Sequence, residues 1–217
     1  KTSVKMKHRG VLGYCLLCST VLVRIFVALD LDETIRRRIE AFVAEVRGSA
    51  PDARWVTTES MHITLKFIGE KSDAVVKTIE QALGSIAAAP LQIRFSGAGF
   101  FPTPRAARVF WVGIEAEAAL AELAAKIDDS LANLGIPKEQ RPFSPHLTLA
   151  RASGGSGAPG WREGDKPNRQ FAKLQQTLER TPAPDFGTMT AREFFLYRSQ
   201  LSSKGSQYTK IARFNLS

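Results

Sequence analysis

The pattern His-x-Thr-Leu occurs twice in this chain, at residues 62–65 and 146–149, and each copy sits in a stretch that reads as a β-strand. Side chains alternate across a strand, so His62, Thr64 and Lys66 are expected on one face and Ile63, Leu65 and Phe67 on the other. The second copy repeats this, with His146 and Thr148 opposite Leu147 and Leu149. A chain holding both copies must bury two apolar strand faces while leaving two polar ones open. Two chance copies in a chain of this size are expected on the order of once in several thousand sequences.

The surrounding pattern mixes strands and helices. A strand over 25–30 leads to an amphipathic helix over 33–46 with Asp32 as N-cap, then to the first motif strand over 61–68. A helix over 73–88 is stopped by Pro90. Strands follow at 91–97 and 108–114, joined by the turn-rich segment 101–105. A helix rich in Ala and Leu spans 118–134 and ends at Gly135, before the second motif strand at 146–150. The glycine-rich stretch 154–160 reads as a loop, 170–178 as a short helix, and 188–201 and 208–215 as closing strands around a turn at 203–206.

Strand, helix and His-x-Thr-Leu strand thus appear in the same order twice. This predicts an α+β fold of two pseudo-symmetric lobes of mainly antiparallel sheet, helices packed outside, and an active-site cleft between the lobes. At 217 residues the chain suits one bilobal domain, assigned to residues 24–217.

Each lobe would offer one imidazole and one hydroxyl to the cleft. Displacement at phosphorus needs a base for the attacking oxygen and an acid for the departing one, on opposite sides of the phosphate. Two histidines can fill both roles near neutral pH, one neutral and one charged. The threonine hydroxyls would bind the oxygens that gain charge in the transition state. This chemistry calls for no metal and no cofactor.

The formal charge of +9 suits a polyanionic substrate, but Lys1, Lys5, Lys7 and Arg9 contribute four of those charges before any acidic residue is reached. Lys66 and Arg105 are further cations that could meet phosphate, although a solvated surface position is the more common fate of such residues. Cys15 and Cys18 lack the partners of a zinc or redox site and read as small hydrophobic residues. Residues 1–23 pair a basic start with an apolar run and read as an extension outside the fold, too short to span a membrane comfortably. The expected setting is a cytoplasmic monomer without a membrane contact.

With both motifs in view, the chain resembles the two-histidine phosphoesterases, and among them the RNA 2′,3′-cyclic phosphodiesterases formerly called 2′-5′ RNA ligases. The resemblance rests on the opening strand at 24–31, on the segments 62–70 and 142–151, and on the closing strand at 193–199, and it extends from Arg24 to Leu216. It implies a partner that is RNA or a nucleotide with a 2′,3′-cyclic phosphate end. It also implies that His62 protonates the leaving 3′-oxygen and that His146 activates water, giving a 2′-phosphomonoester. Thr64 and Thr148 match phosphate-binding threonines, Arg151 an arginine that contacts the nucleotide, and Phe143 an aromatic position suited to stacking on a terminal base. Strict alternation would turn Arg151 towards the Leu147 face; a strand end or bulge at Ala150 would turn it back. The departures are the N-terminal extension and the long loop at 153–168.

Overall fold

The computed structural model describes residues 22–153, 167–202 and 205–217. Cys15, Cys18, the first 21 residues and the glycine-rich stretch 154–160 lie outside the described residues.

The elements in chain order are β1 (Leu22–Leu29), α1 (Glu33–Val46), β2 (Arg54–Trp55), β3 (Ile63–Ser72), α2 (Asp73–Gly84), β4 (Leu91–Phe101) and β5 (Val109–Ala116). They continue with α3 (Ala118–Ala132), β6 (His146–Arg151), α4 (Ala172–Glu179), β7 (Asp185–Ala191), β8 (Glu193–Ser202) and β9 (Gly205–Asn215). Among the described residues all strand pairings are antiparallel. The strands run β7-β4-β5-β6-β3-β1-β8-β9, with β2 added to β6. The order divides into two sets of four, β7-β4-β5-β6 and β3-β1-β8-β9, each ending at the centre in a motif strand. Among the described residues the strand pairing between the two sets is Ile63 with Leu147. The β1-α1-β3 unit of one lobe corresponds to β5-α3-β6 of the other, the repeat that the sequence order suggests.

Helix α1 matches its expected limits because its signals are local. The Asp32 side chain accepts a hydrogen bond from the Ile35 N–H at 2.8 Å, and Ile35, Ile39, Val43 and Val46 form one buried stripe. That stripe covers the opposite lobe: Arg38 donates to the Phe186 carbonyl at 2.9 Å, and Phe42 meets Phe186 edge-on with ring centroids 5.3 Å apart. Helix α3 in turn lies against β3, where Asp128 pairs with Lys66. The units therefore exchange helices, and one continuous core runs beneath both lobes.

β1 divides its residues by parity. Val23, Ile25, Val27 and Leu29 enter the main core, while Phe26 and Ala28 join Phe195 and Tyr197 in a second cluster on the other face of the sheet. Leu22 and Val23, which the sequence reading leaves outside the fold, are the first two residues of this strand. The closing strand expected over 188–201 is two strands. β7 pairs with β4 in one lobe and β8 with β1 and β9 in the other, so the chain changes lobes at Arg192. Nothing in a two-residue period marks that change. The two-residue β2 also escapes sequence reading. No helix among the described residues is long and apolar enough to cross a membrane.

Candidate active site

The strand pair that bridges the lobes among the described residues consists of the residues that follow the two histidines, Ile63 and Leu147. In antiparallel register, one step either side of that pair sets His62 beside Thr148 and Thr64 beside His146. The four motif side chains thus form a compact set about the pseudo-twofold. The motif strands adjoin edge to edge rather than facing each other across open space. Thr64 and His146 line one pocket together.

Both strands depart from simple alternation at the same motif position. Val27 lies opposite Lys66 and Ala28 opposite Thr64, so Leu65 is an extra residue on β3. Phe110 lies opposite Ala150 and Trp111 opposite Thr148, which makes Leu149 the extra residue on β6. A bulge reverses the facing of every residue beyond it. Lys66 is therefore not on the histidine face: it is buried, whereas Phe67 is 65% exposed. In the second copy the same reversal buries Ala150 and carries Arg151 into a pocket with Arg54, Ser60 and Tyr208. The bulge lies one residue before the Ala150 position expected for it.

Each histidine is held by a carbonyl two residues earlier, Ser60 at 2.8 Å for His62 and Ser144 at 2.9 Å for His146. A carbonyl only accepts, so Nδ1 carries the donating proton and neutral Nε2 is left as an acceptor. Sequence reading missed these supports, because a backbone carbonyl carries no side-chain signal and only the fold brings it to the ring.

The surroundings of the two rings differ. His62 is walled by Phe26 at 4.7 Å, Tyr208 at 5.0 Å and Tyr197 at 6.1 Å between ring centroids. His146 has Phe101 edge-on at 5.0 Å. Burial lowers the His62 pKa to about 4; Arg151 and His146 push it the same way, while the Ser60 hydrogen bond and Asp30 oppose them. The His146 pKa is also lowered, first by burial and then by Arg151, against the Ser144 hydrogen bond. The Arg151 pKa is lowered too, by burial and by Arg54, with Tyr208 opposing. Tyr197, Tyr208 and Arg54 are site residues that carry no motif signal; the pairing of β8, β9 and β2 brings them in.

Two pockets flank the motif set. One, about 270 Å³, has Phe67, Phe101 and Phe143 in its wall together with Arg141, Thr64 and His146. The other, about 160 Å³, contains Arg54 and Arg151 with Trp55, Ser60 and Tyr208. His62, Thr64, His146, Thr148, Arg151 and Phe143 are thus brought to one region. Arg105 stays exposed in the turn after β4, where its carbonyl accepts from the Asn168 N–H at 3.0 Å.

The family model of LigT-like phosphoesterases matches twice, over residues 29–111 and 112–208, with one motif in each match. An RNA 2′,3′-cyclic phosphodiesterase of Archaeoglobus fulgidus is 31% identical over 192 residues, covering 88% of this chain and 99% of that protein. One from Methanocaldococcus jannaschii is 32% identical over 189 residues, covering 87% of this chain and 98% of that protein. Among solved structures, E. coli LigT complexed with 3′-AMP superposes with a TM-score of 0.71 at 26% identity, covering 91% of this chain and 99% of that one. A protein of Thermus thermophilus does so with a TM-score of 0.69 at 30% identity, covering 89% of this chain and 97% of that one. The chain belongs to the LigT-like phosphoesterases, within the two-histidine phosphoesterase superfamily.

Proposed function

We propose that the protein is an RNA 2′,3′-cyclic phosphodiesterase that hydrolyses a terminal 2′,3′-cyclic phosphate to a 2′-phosphomonoester. The observation that carries this reading is the pair of histidines at the lobe junction, each tied through Nδ1 to a serine carbonyl and each beside a threonine of the opposite motif. In this reaction Nε2 of His146 takes a proton from water as the water oxygen attacks phosphorus. His62, protonated in the complex, gives its proton to the departing 3′-oxygen as the P–O3′ bond breaks. The hydroxyls of Thr64 and Thr148 donate to the non-bridging oxygens, where negative charge accumulates.

Burial lowers both histidine pKa values, and a bound phosphate anion would raise them by stabilising the imidazolium. Substrate thus supplies part of the charge that makes His62 an acid. Arg151 assists the phosphate, and Phe143 offers a face to the terminal base, with Phe67 and Phe101 in the same pocket. The names of the two archaeal relatives support the substrate class, and the 3′-AMP bound to E. coli LigT supports a nucleotide in this cleft. The setting proposed is a cytoplasmic monomer whose bilobal domain includes β1 from Leu22 onward, to be checked by light scattering and cell fractionation.

The test is to incubate the protein with a cyclic-phosphate-ended oligonucleotide, a cyclic-phosphate mononucleotide, a 2′,5′-linked dimer and ADP-ribose cyclic phosphate, and to identify products by ³¹P NMR. A 2′-phosphate on the oligonucleotide is expected. A 3′-phosphate would reverse the leaving-group assignment, and no turnover of any cyclic phosphate would overturn the reading.

A further inference from the structure

Lys66 is the one charged residue buried among the described residues, at 5% exposure, and it borders the 270 Å³ pocket. A buried ammonium is tolerated only when paired and hydrogen-bonded. Lys66 has both kinds of partner. Its Nζ forms an ion pair with Asp128 of α3 and donates to the Pro137 carbonyl at 2.7 Å. The Asp128 carboxylate also accepts the Glu139 N–H, with both oxygens at 3.2 Å. One buried charge therefore fastens the first motif strand, helix α3 and the backbone at 137–139.

That backbone opens the segment 136–145, which belongs to no helix or strand. Past Glu139 the same segment brings Arg141, Pro142, Phe143 and Ser144 to the wall of the 270 Å³ pocket. Ser144 then holds the His146 ring through its carbonyl. In the second motif the position of Lys66 is taken by Ala150, buried with no charge, so this tie exists in one copy only.

We infer that Lys66 is a positioning residue: through Asp128 and Pro137, the first motif holds the segment that shapes the base pocket and orients the histidine of the second. Resting on the proposed phosphodiesterase reading, this adds a coupling between the two motifs. The bulge at Leu65 makes it possible, because without that extra residue Lys66 would point into the cleft.

The experiment compares the full chain with Lys66→Met, which keeps the apolar stem, and with Asp128→Asn, which keeps an acceptor for the Glu139 N–H. Steady-state kinetics use a cyclic-phosphate-ended oligonucleotide and a cyclic phosphodiester without a base. Hydrogen exchange of residues 136–145 is measured in parallel. Lys66→Met is expected to raise KM for the oligonucleotide about 10- to 100-fold, to change KM for the base-free ester far less, and to speed exchange in 136–145. Asp128→Asn should do the same to a smaller degree and serves as the folded test if Lys66→Met does not fold. A KM raised equally for both substrates, or unchanged exchange in folded protein, would overturn the inference, whereas a fall in kcat shared by both substrates is the effect expected of a displaced His146. If the unaltered protein turns over no cyclic phosphate, the functional reading fails, and the exchange data alone then decide whether the tie exists.

Discussion

The two motif copies share four of six positions and differ in kind at the two that follow. Ser60-Met-His-Ile-Thr-Leu65 and Ser144-Pro-His-Leu-Thr-Leu149 share the carbonyl support, the His–Thr pair and the bulged leucine. The next two residues are Lys66-Phe67 in one copy and Ala150-Arg151 in the other. The pseudo-twofold thus sets an aromatic pocket on one side of the motif set and an arginine pocket on the other. The rings also differ in enclosure, since three aromatic side chains crowd His62 and one meets His146. A duplicated scaffold supplies two equivalent imidazoles; the residues around them make an acid distinguishable from a base, and a base-binding side from a phosphate-binding side.

The strongest way to break this comparison is to remove either ring. His62→Ala and His146→Ala are each expected to lower kcat by about 10²- to 10⁴-fold with nucleotide binding nearly intact, measured by product release and by calorimetric titration. Survival of turnover in both would end the acid–base assignment. Thr64→Val and Thr148→Val keep shape while deleting a donor, and each should cost about 10²-fold in kcat. A loss confined to one of them would show that the hydroxyls, like the rings, have diverged.

Arg151→Met tests the arginine side. Losing a charge-assisted contact worth ~1.5–3 kcal/mol should reduce kcat/KM about 10- to 100-fold, and Phe67→Arg is not expected to restore it from the other pocket. Restoration would mean that the two sides are interchangeable.

The smallest effect expected concerns pH. kcat/KM reports the free enzyme, whose histidine pKa values burial has lowered, and kcat reports the complex, where the phosphate anion raises them. The kcat/KM optimum should therefore lie at more acid pH than the kcat optimum. Tyr197→Ala opens the wall around His62, so the lower apparent pKa should move up from about 4 towards the ordinary histidine value. The sign for stability follows from the same shift. Between pH 6.5 and about 4 the unfolded chain binds a proton that folded His62 refuses, so Tm should fall as pH drops through that window, and less in His62→Gln.

Features carried by local spacing were legible in the sequence. The Asp32 cap and apolar stripe fixed α1, the order of elements revealed the repeat, and strand parity explained why each histidine comes with a threonine. Local spacing could not foresee the bulges at Leu65 and Leu149, because register is set by the partner strands β1 and β5. Those two extra residues buried Lys66, exposed Phe67 and returned Arg151 to the histidine face. The change of lobe at Arg192 and the exchange of helices likewise depend on pairings between residues far apart in the chain. By itself the sequence determined the reacting groups, since a histidine and a threonine two apart on a strand share a face wherever that strand is placed. Tertiary structure alone decided their surroundings, because burial, register and the walls of a pocket are made by segments that meet only when the chain is folded.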